Sequence, residues 1–383
     1  MGNITDDIRE HFDTFDEQPF NETDSLALAQ LAYARMPDNV PRYQPNPQIA
    51  AESTGQSGQS SMPMVAIRDL LRAECYDAMF GKVWSPQMNV DLLRAMCENP
   101  RWRNVRVGEY VDEFDPETTK QFSACAFALG DETNTLYVSF RGTDSSIVGW
   151  KEDFTMAFRR PVASQESATE YLANVAQRWN GPIMVGGHSK GGNLAVYAAA
   201  CVPKEIQNRI TAVFSHDGPG FDDDFFSLPG FKRIESKMRK SVPGSSIIGM
   251  LFETREQLSD GYTVVNSDGI GIMQHFALHW QVNHGQFVQD EGLTSSAQYF
   301  ARTVNGWMAR FDDEHRRRFI ENLFAIFEAS GYKTFGELTS HLSQSLPLML
   351  TAARNIDVED RDVMIEVVKG FAATAASAML PIK

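Results

Sequence analysis

Ser189 stands in a short segment whose residue types could present a reactive hydroxyl. The segment reads Gly-His-Ser-Lys-Gly at 187–191, after an apolar strand pattern at 183–186 and before a helix pattern at 192–201. A G-x-S-x-G sequence between a strand and a helix is typical of a tight turn that lifts the serine above a sheet. The residues two before and two after the serine nearly touch in such a turn, so both must lack a side chain. We therefore predict Ser189 as a nucleophile, the alternative being an ordinary glycine-rich helix start.

A serine nucleophile needs a base, and several histidines follow the motif in the chain. His275 comes shortly after a strand pattern that ends at Val265, and in hydrolases with this turn the base usually comes last in chain order. His279 and His284 lie close behind it and remain alternatives. His188, inside the motif, is expected to pack behind the turn rather than react. The sequence favours His275 as the base.

Two aspartates are candidates for the acid that orients this histidine. Asp268 lies just past the strand pattern at 262–265, where acids sit in open parallel sheets. Asp217 follows the preceding strand pattern and opens a Gly-Pro-Gly turn, in which it could also bond only its own backbone. Asp268 is slightly favoured, and Asp217 stays open.

Two backbone N–H groups are candidates for binding the oxyanion of an acyl transfer. One belongs to Lys190, directly after the serine. The other belongs to Thr143, in the turn after the strand pattern at 135–140, where Gly142 lets the backbone approach a substrate. A plain strand-ending turn is the alternative interpretation of that segment.

Alternating strand and helix patterns in the middle of the chain must position these residues. Such alternation predicts an α/β fold with a mainly parallel sheet, right-handed crossovers and flanking helices. The strand patterns are 121–129, 135–140, 183–186, 210–215 and 262–265, and the helix patterns are 165–179 and 192–201.

Composition divides the chain into four regions. We predict an N-terminal helical segment at 1–36, a flexible insertion at 37–62, an α/β domain at 63–290 and a C-terminal helical region at 291–383. The insertion is rich in proline and then in serine, glycine and glutamine, so it has too little apolar surface to order itself.

Helices are also predicted outside the alternating part. The N-terminal helix is expected over Thr23–Met36 with Thr23 or Asp24 as its cap. The other helical patterns are 64–97, 296–311, 313–330, 335–354 and 358–379.

The 383 residues carry a formal charge of −15 and are 43% hydrophobic. That charge argues against nucleic acid and against electrostatic docking on anionic membranes, since phosphates would be repelled. The four cysteines have no metal-ligand spacing, so we expect no metal, no cofactor and a reducing compartment. The chain shows neither a signal-peptide pattern nor a run of ~18 apolar residues. We expect a cytoplasmic protein without stable membrane insertion, and the oligomeric state is left open.

Together these residues resemble the class 3 lipases, a branch of the α/β-hydrolases. The matching segments are Phe140–Thr143, Trp150–Asp153, Gly187–Ala195 and Val265–Asp268. The resemblance implies an α/β-hydrolase-like mainly parallel sheet flanked by helices, here with a helical C-terminal region. It implies Ser189 as nucleophile and Asp268 as acid. It also implies Thr143 and Lys190 as oxyanion donors.

A bacterial family of lipase-like serine hydrolases, known mostly from its sequences, is similar over nearly the whole chain. Its pattern includes Asp-Gly-Pro-Gly-Phe at 217–221, which supports Asp217 as the acid. Class 3 lipases also place the base further past the acid than the short spacing from Asp268 to His275. The matching segments are 20–33, 121–123, 141–154, 187–199, 216–221 and 271–282.

The motif departs from class 3 lipases at Lys190, where those enzymes have leucine. A cation beside the oxyanion could favour an anionic acyl or phosphate group. We expect instead that the Lys190 side chain points to solvent.

These patterns favour a lipase-like or esterase-like serine hydrolase that cleaves a carboxylic ester through an acyl-enzyme on Ser189. The same residues would serve a thioesterase or an acyltransferase. A non-catalytic hydrolase-like binding or scaffold protein is the alternative of a different class. The apolar segment 246–252 is either a lid over the site or a buried turn, the second being favoured. A small or medium ester is expected as substrate, with a lipid as the other choice.

Overall fold

One sheet of eight strands, ordered as in the chain, carries the fold of the described residues, which are 2–45, 62–130, 134–252 and 261–378 of a computed structural model. The first four strands pair antiparallel, and the pairs from β4 to β8 are parallel. The strands are β1 (Val65–Ala66), β2 (Arg106–Asp115), β3 (Lys120–Leu129), β4 (Thr135–Phe140), β5 (Ile183–His188), β6 (Ile210–His216), β7 (Met238–Pro243) and β8 (Tyr262–Val265). A small hairpin follows, formed by β9 (Val282–Asn283) and β10 (Gln286–Phe287). The predicted α/β fold with a mainly parallel sheet is confirmed.

Helices cover both faces of the sheet and continue beyond it. Those before and within the sheet region are α1 (Ile4–Glu10), α2 (Glu22–Leu31), α3 (Tyr76–Phe80), α4 (Pro86–Glu98), α5 (Ile147–Thr155), α6 (Ala163–Gln177), α7 (Lys190–Cys201), α8 (Lys204–Gln207), α9 (Asp223–Ser227) and α10 (Pro229–Ile234). Those of the C-terminal region are α11 (Ser295–Met308), α12 (Asp313–Glu328), α13 (Phe335–Ser340), α14 (Leu342–Asn355) and α15 (Val358–Ala378). Within the ranges described, no helix combines the length and the apolar character needed to cross a membrane.

The alternation of side chains along β3 separates two apolar clusters. Phe127 and its alternate neighbours pack with α1, α2 and α4, whereas Ala126 and its alternate neighbours pack with α6 and α7. This two-sided burial explains why β3 is apolar along nearly its whole length.

The parallel register brings the carboxyl ends of the central strands to one edge of the sheet. Phe140 of β4 lies beside Gly187 of β5, and His188 of β5 lies beside His216 of β6. The chain segments that leave these strands therefore meet at this edge, where ligands bind in open α/β sheets.

Helix α2 is tied to the sheet by buried hydrogen bonds. The Ser25 hydroxyl lies 2.8 Å from the Tyr137 hydroxyl and 2.8 Å from His216 Nε2. The N-cap of α2 is Asn21, whose side chain accepts from the next helical N–H groups. The expected caps, Thr23 and Asp24, are wrong because both residues already lie in the first turn.

Two further sequence expectations need correction. The 64–97 stretch is not one helical run, since it contains β1, two 3₁₀ turns and the separate helices α3 and α4. Strands β2 and β7 were not predicted, because the second half of β2 is mostly exposed and polar and β7 has Arg239 and Lys240 near its start. Most of the expected flexible insertion, 46–61, lies outside the described residues, while Tyr43 in its first part bonds the backbone of β2.

The predicted C-terminal helices are present, with the third stretch divided into α13 and α14. They pack on α5 through an apolar cluster that includes Ile147, Ile320 and Phe324. The backbone N–H of Ile147 donates to Lys333 O at 2.9 Å, so the C-terminal region is also joined to α5 by hydrogen bonding.

Candidate functional site

Ser189 occupies a strained turn between β5 and α7. Its φ and ψ are 58° and −132°, and its N–H donates to His216 O at 2.9 Å. A side chain at Gly187 would strike the backbone of Gly191, and one at Gly191 would strike the carbonyl of Phe140. The two glycines are therefore required by close approach of backbone to backbone. A non-glycine residue held at this positive φ is the kind of local strain found at active sites.

Asp217 and His275 form a hydrogen-bonded pair beside this turn. Asp217 follows β6 and is fully buried, and its Oδ2 accepts from His275 Nδ1 at 2.6 Å. Its Oδ1 accepts from the Ser246 hydroxyl at 2.5 Å and from Gly249 N–H at 3.1 Å. Since Nδ1 carries the proton in this contact, Nε2 of a neutral His275 is a free base.

Asp268 lies apart from His275. Its Oδ1 accepts from His279 Nδ1 at 2.7 Å, and its side chain is mostly exposed. The expected contact between Asp268 and His275 is not formed, because the 3₁₀ turn Gly271–His275 separates them and each side chain bonds a different partner. His284 contacts His11 at 2.8 Å.

His188 packs behind the turn, as its place in the motif predicts. Its Nε2 donates to His275 O at 2.7 Å, and its Nδ1 accepts from the Tyr33 hydroxyl at 3.0 Å. Burial, reinforced by the neighbouring His275 ring, lowers the pKa of His188 to about 3. The ring is therefore neutral near pH 7, which fits its having one donor and one acceptor contact.

Thr143 follows β4 and is held by an aspartate of α5. Its hydroxyl lies 2.5 Å from Asp153 Oδ2. Burial raises the pKa of Asp153 to about 6, against the opposing effects of Lys190 and of the Thr143 hydroxyl. A side chain at position 142 would strike the Tyr33 hydroxyl and His188 O, so only glycine fits directly before Thr143.

The Lys190 side chain is buried, and the expectation that it points to solvent is wrong. Its Nζ lies 2.8 Å from Glu152 Oε2, 2.9 Å from Gln121 O and 3.7 Å from Asp153 Oδ1. Glu152 is also buried and accepts from two backbone N–H groups. Because a buried cation needs a partner, the lysine is turned inward by the carboxylates of α5.

A cavity of about 1360 Å³ opens over this edge of the sheet. Its lining includes Ser189, His275 and Thr143, so these three predicted site residues border one space. Most of the remaining lining is apolar, and several of these side chains reach the surface, namely Trp84, Phe114, Phe154 and Ile272.

Segment 246–252 borders the same cavity. Ser246 and Gly249 are buried against Asp217, whereas Ile248, Leu251 and Phe252 line the cavity. The segment is thus a wall of the site as well as a source of hydrogen bonds to its aspartate.

The sequence profile of the Mbeg1-like family matches residues 96–325, which is more than half of the chain. The chain belongs to the Mbeg1-like family. The matched region runs from the end of α4 into α12 and includes every candidate catalytic residue.

Some solved structures are similar at low identity. M37 lipase is 15% identical, with 60% of this chain and 70% of that chain covered and a TM-score of 0.36. The Rhizomucor miehei lipase propeptide complex is 16% identical, with coverage of 65% and 81% and a TM-score of 0.29. Extracellular lipase LipA from Serratia marcescens is 16% identical, with coverage of 63% and 43% and a TM-score of 0.31. No curated protein matches the sequence.

In this Mbeg1-like chain, sequence reasoning missed the inward partners of the site. Glu152 lies inside the matching segment Trp150–Asp153, and its acidic type could have suggested a partner for Lys190. Tyr33 gave no signal, since its contact with His188 joins residues far apart in the chain. Among the described residues, no group of three or more histidine, cysteine, aspartate or glutamate side chains is placed to hold a metal ion.

Proposed function

We propose that this Mbeg1-like protein is a serine hydrolase that cleaves a carboxylic ester through an acyl-enzyme on Ser189. The observation that carries the proposal is the buried Asp217–His275 contact of 2.6 Å beside a strained serine turn. Asp217 orients the imidazole and stabilises its charged form, and His275 Nε2 is the base. Asp268 has no role in this scheme.

Acylation begins when Ser189 Oγ attacks the ester carbonyl carbon and gives its proton to His275 Nε2. The carbonyl electrons move to oxygen, and the oxyanion accepts from the N–H groups of Thr143 and Lys190. Lys190 is the first residue of α7, so its N–H also lies at the positive end of the helix dipole. The intermediate then expels the alcohol, which takes the proton from His275.

Deacylation uses the same groups with water in place of the alcohol. Water gives a proton to His275 as its oxygen bonds to the acyl carbon, and the second intermediate releases Ser189, which regains that proton. The net reaction is ester plus water to carboxylic acid plus alcohol. The apolar lining of the cavity supports an ester with an apolar acyl group.

The test is labelling by a fluorophosphonate, which reacts with activated serines, followed by hydrolysis of p-nitrophenyl esters. We expect the wild-type protein to be labelled and Ser189→Ala to lose both labelling and turnover. Ser145→Ala is the matched control, because Ser145 lines the same cavity and is exposed. It should retain both.

Labelling that persists in Ser189→Ala would overturn the assignment of the nucleophile. A folded wild-type protein that is neither labelled nor active on any ester would instead favour the non-catalytic binding protein. Transfer of the acyl group to an added alcohol in preference to water would indicate an acyltransferase.

A further inference from the structure

The C-terminal helices form a wall of the cavity over the candidate site. The apolar side chains of this wall come from three different helices, none of which was predicted to take part in the chemistry. They are Val304, Trp307 and Met308 of α11, Phe319 and Ile320 of α12, and Val367 of α15, while the charged residues Arg316, Glu328 and Glu337 of the same region also border the cavity. The family match ends at residue 325, so the α15 part of the wall lies beyond it.

Hydrogen bonds fix this wall to the hydrolase-like part of the chain. Asn305 Nδ2 donates to Met250 O at 2.9 Å, and Asn305 Oδ1 accepts from Phe252 N–H at 3.1 Å. Trp307 Nε1 donates to Val367 O at 2.9 Å, which joins α11 to α15. The wall is therefore built into the fold before any ligand arrives, and its apolar face is turned toward the cavity.

The volume of the cavity and its lining indicate the kind of group it takes. About 1360 Å³ is above the range of roughly 300–1,000 Å³ usual for small-molecule sites. The exposed apolar side chains at its mouth, among them Trp84 and Ile272, continue the apolar surface to the outside. Such a space favours a long flexible hydrocarbon chain over a small polar acid.

We propose that the C-terminal helices form the acyl-chain pocket of the site and that Val304 and Val367 help set the longest chain it accepts. This inference rests on the proposed ester hydrolysis, with the acyl carbon at Ser189 and its hydrocarbon chain along α11, α12 and α15. Each methylene buried against this wall strengthens binding about fourfold, the equivalent of about 0.8 kcal/mol, until the pocket is full. The substrate class is therefore a long-chain acyl ester rather than the small or medium ester favoured by composition.

Two adjacent valines of α15 give a matched pair of variants. Val367 is 2% exposed and lines the cavity, whereas Val368 is 58% exposed and does not. Val367→Trp should fill part of the pocket. We expect kcat/KM for p-nitrophenyl palmitate to fall at least about tenfold, with the acetate ester within about twofold of wild type. Val368→Trp should leave both rates unchanged.

A second pair on α11 tests the same wall independently. Val304→Trp should repeat the loss on the palmitate ester, and Arg302→Trp, at an exposed position of the same helix, should not. Equal losses on acetate and palmitate in both cavity variants, together with lower thermal stability, would mean overpacking of a core and would overturn the proposal.

Binding separates this inference from the proposed chemistry. A fluorescent long-chain fatty acid is titrated into Ser189→Ala and into Ser189→Ala with Val367→Trp. Tight binding that the second variant loses supports the pocket even if the wild type hydrolyses nothing. Hydrolysis of the acetate ester without chain-length preference, and without fatty-acid binding, would reject the pocket and leave the hydrolase proposal standing.

Discussion

Two aspartate–histidine pairs use neighbouring histidines and have similar contact distances, but they differ in burial and in their relation to the cavity. Asp217–His275 and Asp268–His279 have contacts of 2.6 and 2.7 Å. The first carboxylate is fully buried, whereas the second is 64% exposed. Only the histidine of the first pair borders the cavity with Ser189.

The difference shows that contact distance alone does not distinguish the proposed catalytic pair from the other pair. Asp217 directly follows β6, the strand beside β5, which ends just before Ser189. The Ser246 hydroxyl and Gly249 N–H also donate to its carboxylate and hold it in one orientation. The Asp268 carboxylate is exposed, so water competes with His279 for its oxygens, and the pair adds little to the free energy of unfolding. Position at a strand end and burial together distinguish the two.

The largest effect is expected from Asp217→Asn. An amide would donate to His275 Nδ1 and so force the proton onto Nε2, which removes the base. We expect kcat for ester hydrolysis to fall on the order of 10⁴-fold with KM little changed. A loss below tenfold in a folded variant would show that another group orients His275.

A large loss of stability is expected from breaking the buried ion pair beneath the site. Lys190→Met would leave Glu152 buried and without its cation, at a cost of about 3–5 kcal/mol in the free energy of unfolding. Lys151→Met is the matched control, since the contact of Lys151 with Glu328 is half-exposed, and it should cost about 0–1 kcal/mol. Urea unfolding measures both, and equal values would contradict the buried pair's importance.

The burial of two histidines predicts a pH dependence of the free energy of unfolding. Burial lowers the pKa values of His188 and His216 from 6.5 to about 3. Between these values the unfolded chain binds protons that the folded protein does not, so stability falls as the pH decreases. Each histidine should contribute up to about 1.4 kcal/mol per pH unit.

Urea unfolding of the wild type and of His188→Gln at several pH values between 7 and 4 tests this dependence. The variant should have a shallower slope than the wild type, because it lacks one of the two buried imidazoles. An unchanged slope in His188→Gln would contradict the lowered pKa.

The smallest effect is expected from Asp268→Asn. Since the Asp268 side chain is mostly exposed, its loss should change stability by less than about 1 kcal/mol. Ester hydrolysis should stay within about twofold of wild type. A large loss of activity at normal stability would return Asp268 to the candidates for the acid and undo the comparison.

Local patterns were sufficient for the elements that position the site. The strand–turn–helix around Ser189 and the strands ending at Phe140 and Val265 are apolar runs bounded by turn residues, so neighbours in sequence determine them. β7 was not predicted, because the exposed or partly exposed Arg239 and Lys240 near its start hide the apolar pattern.

Long-range partners were beyond such patterns. The sequence left the acid open because Asp217 and Asp268 each follow a strand pattern, and no local pattern decides which of them reaches His275. The direction of the Lys190 side chain likewise depends on Glu152, which only packing brings to it. These are tertiary contacts, which composition and periodicity do not predict.

The hydroxyl of Ser25 has a consequence for the order in which this chain can fold. Its partners, Tyr137 and His216, lie 112 and 191 residues further along the chain. During synthesis α2 leaves the ribosome before either partner has been made, so until then the Ser25 hydroxyl bonds water. Contacts of such sequence separation slow folding, because a long loop has to close before they form. Helix α2 is therefore made before the strands that bury the Ser25 hydroxyl, and these contacts with the sheet form only after both strands have been made.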